Sequence, residues 1–266
     1  MTNEDSKPLI GVSKEGWEEK ARALLEGKVP KKSSGTAEPF DFGNLNPREY
    51  FLIPQHNIII AERETHLNEN MYNTLDGLAN DGLSMPSAER FMSHWMNVYE
   101  ASQRKIILPY ADGTPVPHEK AVELWNYMSS KDRTPFNGKP CWTWLNNRFI
   151  LEDGIWFMET DLKTAGQGNN VSLSGTRTQL EDCLRKDGVL VNLKFNRQGL
   201  AEEESPLSEY VQGQNIRFWQ PVNGRVARFD ADSAGASLDC DRNPDDVNSS
   251  LGVFAVLDGE ARGQKS

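Results

Sequence analysis

Carboxylates set at close intervals can chelate a cation, work as an acid–base pair or present a polar surface to a partner. Residues 229–248 hold the densest such set in the chain: Phe229-Asp-Ala-Asp-Ser-Ala-Gly-Ala-Ser-Leu-Asp-Cys-Asp-Arg-Asn-Pro-Asp-Asp-Val-Asn248. Ten positions stand out: Asp230, Asp232, Ala234, Ser237, Asp239, Asp241, Asn243, Asp245, Asp246 and Asn248. An asparagine codon that begins with two adenines gives Asp if the first changes, Ser if the second does, and Ala if both do. All ten are thus reachable from one ancestral Asn codon by adenine mutation. Between them Ala231, Ser233, Gly235, Ala236, Leu238, Cys240, Pro244 and Val247 read as a scaffold that stays put. The pattern is that of a binding surface being randomised.

Other chemistries are open to the same strip. Asp230-x-Asp232-x-Ala234-Gly235, with Asp241 at the twelfth place, mimics a calcium-binding EF-hand loop. Ala at the fifth position has no oxygen ligand, Asp replaces the usual Glu at the twelfth, and the flanks read as strands. No cofactor is expected, calcium being the one candidate. A solvated acidic face is the plain structural alternative. A hydrolase site built on paired carboxylates has no apolar pocket to single out one pair.

Elsewhere the chemistry is thin. His56, His66, His94 and His118 are dispersed without metal spacing, and His94 beside Trp95 reads as a satisfied helix histidine. Cys141, Cys183 and Cys240 are odd in number and lack ligand spacing, so they read as reduced and mostly buried, with a bridge between two of them as the alternative. Cys141 has no nameable histidine partner. Trp142, Trp144, Trp156 and Trp219 sit at positions typical of core packing rather than sugar stacking. Gly166-Gln-Gly168 reads as a loop and not a phosphate cradle.

The elements that must position the strip follow from patterning. The first 45 residues are polar and charged and read as a flexible N-terminal segment, with a short helix at Trp17–Leu25 and a linker from Lys31. Residues 46–258 form one domain, the variable region covers about 219–256, and 259–266 is a tail. Tyr50–Ile53 and Asn57–Ala61 read as strands bent at Pro54. Met71–Leu78 reads as a helix that ends near Asn80-Asp-Gly82. Ser87 caps a helix through Arg90–Glu100, whose buried stripe is Phe91, Trp95 and Val98 or Tyr99. His118–Met128 is a third helix, with Val122, Leu124, Trp125 and Met128 on its apolar face. Short strands follow at Cys141–Phe149, Ile155–Met158, Val189–Phe195, Ile216–Trp219, Val226–Phe229 and Leu251–Val256. Asn223-Gly224 predicts a hairpin joining Ile216–Trp219 to Val226–Phe229. Helices first and short strands after predict an α+β architecture.

With a net charge of −10, the chain lacks the basic balance of a nucleic-acid-binding face. No apolar run approaches the roughly 20 residues that cross a bilayer, and the polar start Met1–Lys7 shows no secretory signal. A cytoplasmic location is the default expectation, with display on a surface or virion as the alternative.

The order of strand, helices and a Trp-rich meander resembles a C-type lectin fold. Gly82-Leu-Ser-Met-Pro-Ser87 and Gly252-Val-Phe254 resemble segments of its formylglycine-generating-enzyme branch. With the Asp/Asn strip before the closing strand, the chain resembles the variable proteins of diversity-generating retroelements. Cys141-Trp-Thr-Trp144 and Ser249-Ser-Leu-Gly-Val253 are most similar to archaeal members. Phe254 departs from the Arg usual at the close of the variable region. The resemblance, over about residues 50–257, implies that a retroelement reverse transcriptase acts on the gene rather than on the protein. It also implies that the ten positions display a non-catalytic surface for an unknown ligand, expected to be a protein surface. Alternatives are an enzyme of the formylglycine-generating type, for which no close cysteine pair is present, and a viral structural or receptor-binding protein with a plain acidic loop.

In an extended strip, positions 230, 232 and 234 share one face, and 237, 239, 241 and 243 form a second run of period two. Leu238 and Cys240 then point inward, Gly235-Ala236 shifts the phase as a bulge or turn, and Val247 anchors a loop shaped by Pro244. About ten side chains on one solvent-facing patch are the expected result. Six aspartates, partly offset by Arg225, Arg228 and Arg242, suit a basic or polar partner.

Overall fold

The computed structural model describes residues 40, 42–129, 138–166 and 171–259. The helix expected at Trp17–Leu25, the linker from Lys31, the centre of the Gly166–Gly168 loop and nearly all of the tail lie outside them.

The architecture is α+β. A one-turn 3-10 helix at Pro47–Glu49 leads into β1 (Tyr50–Ile53), which pairs antiparallel with β2 (Ile58–Ala61). Pro54 sits exposed in the intervening turn, where its missing N–H costs no ladder bond. Three helices follow: α1 (Met71–Asp81), α2 (Ala88–Ser102) and α3 (His118–Met128). Their ends are set by local chemistry. The Asn70 side chain caps α1, and Gly82 ends it at φ +71°, a left-handed position open to glycine. The Ser87 hydroxyl accepts the Arg90 N–H at the start of α2. The stripe of α2 is buried as its spacing predicts: Phe91 lies 4.9 Å from Phe229, and Trp95 lies 4.8 Å from Trp125 of α3. On α3, Leu124, Trp125 and Met128 are buried, whereas Val122 is half-buried and Ala121 takes its place inside.

The second half of the chain builds a large mixed sheet. Its strands are β3 (Cys141–Glu152), β4 (Ile155–Ala165), β5 (Ser172–Gln179), β6 (Asp187–Asn192), β7 (Asn215–Trp219), β8 (Val226–Asp232) and β9 (Gly235–Arg242). They lie in the order β5-β4-β3-β8-β9-β7-β6, and β10 (Leu251–Gly252) pairs parallel with β3. β11 (Val256–Asp258) returns to β2, so the ends of the domain meet in one small sheet of order β1-β2-β11. The segment expected as one strand over Leu251–Val256 is therefore split between two sheets. Phe254 lies at the split, fully buried with its ring 5.6 Å from Phe91.

One topological expectation fails. Ile216–Trp219 and Val226–Phe229 do not form a hairpin about Asn223-Gly224. β9 inserts between them, antiparallel to β8 and parallel to β7. The turn instead docks on β3: Gly224 N–H donates to the Phe149 carbonyl, and Leu151 N–H donates to Asn223 Oδ1. A turn signal specifies a reversal of the chain, not which strand lies next to it. β5, with the sequence Ser172-Leu-Ser-Gly-Thr-Arg-Thr-Gln179, was not expected as a strand. It is an exposed edge strand whose sequence has little apolar alternation to reveal it.

Helices α2 and α3 cover one face of the large sheet together with β1 and β2, while α1, Trp144, Leu251 and Val253 form a second apolar cluster. Among the described residues no helix is long and apolar enough to cross a membrane.

Candidate functional site

The ten positions fall on β8, β9 and the loop that follows. Strands β8 and β9 are joined by the two-residue turn Ser233-Ala234, with Asp232 opposite Gly235. Gly235 has φ +107°, and a Cβ there would stand 2.5 Å from the Tyr210 ring, so both backbone and space require glycine. Asp232 Oδ1 accepts the Ala234 N–H at 2.7 Å and closes the turn.

The central strands line up in rungs. On one face Thr143, Phe229, Leu238 and Phe218 are neighbours, followed by Cys141, Ala231 and Ala236. All are fully buried against the helices. The opposite face carries two rungs: Trp142–Asp230–Ser237–Arg217 and Trp144–Arg228–Asp239–Trp219. Asp230, Asp232, Ser237 and Asp239 thus share the face away from Leu238 and Cys240, as alternation requires.

Sharing that face does not make them exposed, and here the expectation of one solvent-facing patch is corrected. The Asp239 side chain is 1% exposed and that of Asp230 9%. Both are short side chains set among indoles and guanidinium groups, and both are held by arginine. Arg228 Nη2 donates to Asp230 Oδ2 at 2.6 Å, and Arg242 Nε donates to Asp239 Oδ2 at 2.9 Å. Arg242 Nη2 also bonds Asp239 and stands 3.8 Å from Asp230 Oδ2, while Arg228 Nη2 stands 4.0 Å from Asp239 Oδ2. The Arg228 guanidinium in turn lies 5.3 Å over the Trp142 ring. Burial pushes the Asp230 carboxyl up to about 7 against the pull of Arg228, and the Asp239 charge adds to the rise.

The period of two also breaks. Val226 faces Arg242 while Arg228 faces Asp239, so three steps on β9 answer two on β8. This bulge brings Arg242, rather than Asp241, over the Asp239 side. It lies between Asp239 and Arg242, in addition to the phase shift expected at Gly235-Ala236, where the chain turns and the polar face passes from Asp232 to Ser237. Asp241 is left half-buried, its carboxyl raised mainly by burial.

The remaining positions lie at the two ends of β9. At the hairpin end Ala234 is exposed, and Asp232 and Ser237 are half-buried. An open cavity of about 550 Å³ beside the turn is lined by Tyr210, Gln212, Arg217 and residues 233–235 among others. At the far end Asp245 and Asn248 are exposed, and Asn243 and Asp246 are half-buried. Asn243 Oδ1 accepts the Asp245 N–H, and Asn248 Oδ1 accepts the Ser250 N–H, so both asparagines shape the loop. Val247 does not anchor it, being 55% exposed. Pro244 does: it is buried, and its carbonyl accepts the Met71 N–H that opens α1. An eight-residue strand spans roughly 25 Å at 3.3 Å per residue, so the accessible positions form two patches rather than one.

The calcium-loop reading requires Asp230, Asp232 and Asp241 to surround one point. The hairpin instead places Asp230 in the Arg228 ion pair and Asp232 on the turn. Among the described residues no group of three or more His, Cys, Asp or Glu is arranged to hold a metal. Arg217, Trp142 and Trp219, which complete the polar face, were not singled out as its parts. Only their rungs on β3 and β7 reveal them. Arg225 lies at the turn, where its carbonyl accepts the Phe149 N–H.

Of the cysteines, Cys141 and Cys240 are buried and Cys183 is half-buried, and all three are free thiols. His94 is fully buried, but neither ring nitrogen finds a hydrogen-bond partner among the described residues. It packs 5.6 Å from the Phe51 ring, and burial lowers its pKa to about 3, so it is a neutral packing residue. Of the four tryptophans expected in the core, Trp144 is wholly buried, while Trp142, Trp156 and Trp219 are half-buried. A second polar cluster joins half-buried Glu64 to buried Tyr127 and Cys141: Tyr127 Oη donates to Glu64 Oε1 at 2.7 Å, and desolvation raises the Glu64 carboxyl to about 7.

Set against known proteins, the chain matches no protein-family model, no curated protein and no solved structure.

Proposed function

We propose that the chain is a diversified ligand-binding protein. Residues about 219–256 form the varied segment on a C-type-lectin-like scaffold, and the gene is altered at adenines by a retroelement reverse transcriptase. The observation that carries this reading is the division of labour between the core face of β8 and β9 and the turn and loop at their ends. The invariant-looking Ala231, Ala236, Leu238 and Cys240 are fully buried on the core face, while Ala234, Asp245 and Asn248 open to solvent. Substitution at the open positions leaves the packed face untouched, as a paratope on a rigid frame requires. The meeting of β1 and β11 in one small sheet, with helices placed before an irregular large sheet, is compatible with a lectin-like scaffold. Contact is made at two patches, the hairpin end and the 243–248 loop, and acidic Asp245 and Asp246 favour a basic or polar protein surface.

The test is the DNA of codons 219–256 compared with neighbouring non-coding repeats. A near-copy that carries adenines wherever the ten codons diverge, beside a reverse transcriptase gene, is the expected finding. Absence of a repeat, or differences at other bases, would leave the strip a structural acidic segment. That second reading draws on Asp230 and Asp239, whose carboxylates face arginines inside the protein.

A further inference from the structure

The Arg228–Asp230–Asp239–Arg242 cluster has an imbalance. Both guanidinium groups address the Oδ2 atoms of the two aspartates. Their Oδ1 atoms are also buried, yet no donor reaches either among the described residues, and the buried Arg228 Nε–H likewise finds no acceptor. Leaving buried carboxylate oxygens without a donor is costly. A carboxylic acid is itself a donor, and the two carboxylates are neighbours: Arg228 Nη2 lies 2.6 Å from Asp230 Oδ2 and 4.0 Å from Asp239 Oδ2.

We propose that Asp230 and Asp239 hold one proton between them at near-neutral pH, Asp230 donating it to Asp239, and that this contact is a pH-sensitive clasp joining β8 to β9. Two carboxylates side by side in a buried site do not both ionise readily. The surrounding charges are Arg228 from β8, Arg242 and Asp241 from β9, and Arg217 from β7, which shares the rung of Asp230 across Ser237. Asp187 of β6 acts on Asp241, and the neutral Cys141 thiol of β3 lies near Asp230. Trp142 and Trp219 bracket the rungs and carry no charge. The rise of the Asp230 carboxyl to about 7 agrees with the geometry. When the proton leaves, two facing carboxylates must share the two arginines, and the β8–β9 contact weakens. The clasp does not rest on the diversification reading. If that reading also holds, a protonated Asp at 230 reproduces the donor that an Asn amide would supply there.

The experiment is a carboxyl-carbon NMR titration of the full chain labelled at aspartate, with Asp230→Asn and Asp239→Asn for assignment. The signal absent from Asp230→Asn is expected to titrate near pH 7 in the native protein. In Asp239→Asn that signal should move down by more than one pH unit, because the neighbouring charge is gone and an amide donor replaces the proton. A native Asp230 midpoint below 5, or one unchanged by Asp239→Asn, overturns the clasp. If Asp230→Asn does not fold, the titration of the native chain against Asp239→Asn still decides. An adenine-marked repeat in the DNA would be unaffected by either result.

Discussion

Replacing Glu64 by Gln isolates one half-buried acid from the rest of the molecule. The Glu64 carboxyl accepts the Tyr127 hydroxyl at 2.7 Å and lies beside the Cys141 thiol, and its pKa is raised from 4.5 to about 7, chiefly by burial. Between those values the folded protein holds a proton that the unfolded chain has released. The folded state therefore binds more protons, and stability falls as pH rises through that window. At 1.36 kcal/mol per unit the interval corresponds to at most ~3 kcal/mol, and relaxation around the site makes ~1–3 kcal/mol the working figure. Glutamine keeps an oxygen for Tyr127 but cannot ionise. Urea unfolding of the native chain and Glu64→Gln, followed by tryptophan fluorescence from pH 4.5 to 8, measures the difference. The variant is expected to be close to native in stability at pH 5 and to gain on it by that amount at pH 8. Parallel pH profiles would refute the assignment, as would a variant that loses stability equally at both ends.

Other substitutions sort the strip into buried and open positions. Asp239→Ala leaves Arg228 and Arg242 without their shared carboxylate and is expected to cost ~3–5 kcal/mol in denaturant unfolding. Changing exposed Ala234 to Ser, Asp or Asn is expected to stay within ~0.5 kcal/mol by the same assay. Similar costs at both positions would contradict the placement. Gly235→Ala, at φ +107° and 2.5 Å from the Tyr210 ring, is expected to lose ~1–3 kcal/mol, seen as a lower melting temperature. All three thiols have raised pKa values, mainly through burial, so a thiol reagent at pH 7 should modify the native chain slowly, half-buried Cys183 first. Fast modification of Cys141 or Cys240 relative to the denatured chain would argue for a reactive site.

Capping and periodicity made the helices legible in the sequence. Gly82 ends α1 and Ser87 starts α2 because each acts on the backbone within a few residues of itself, and Phe91, Trp95 and Val98 lie on one face at any helical 3.6-residue spacing. The same local logic placed Leu238 and Cys240 inward and set Asp230, Asp232, Ser237 and Asp239 on the opposite face. β5 escaped because a polar edge strand needs no apolar alternation, and β9 was not foreseen between β7 and β8 because strand order is a long-range choice. Exposure was beyond the sequence for the same reason. Whether a side chain on a sheet face meets water depends on what stands beside it on other strands. Trp142, Trp144 and Trp219 reach those rungs from β3 and β7, distant in the chain. A bulge of one residue on β9 then decides that Arg242 covers Asp239. Composition along the strip determined which residues alternate; tertiary neighbours alone determined which of them a partner can touch.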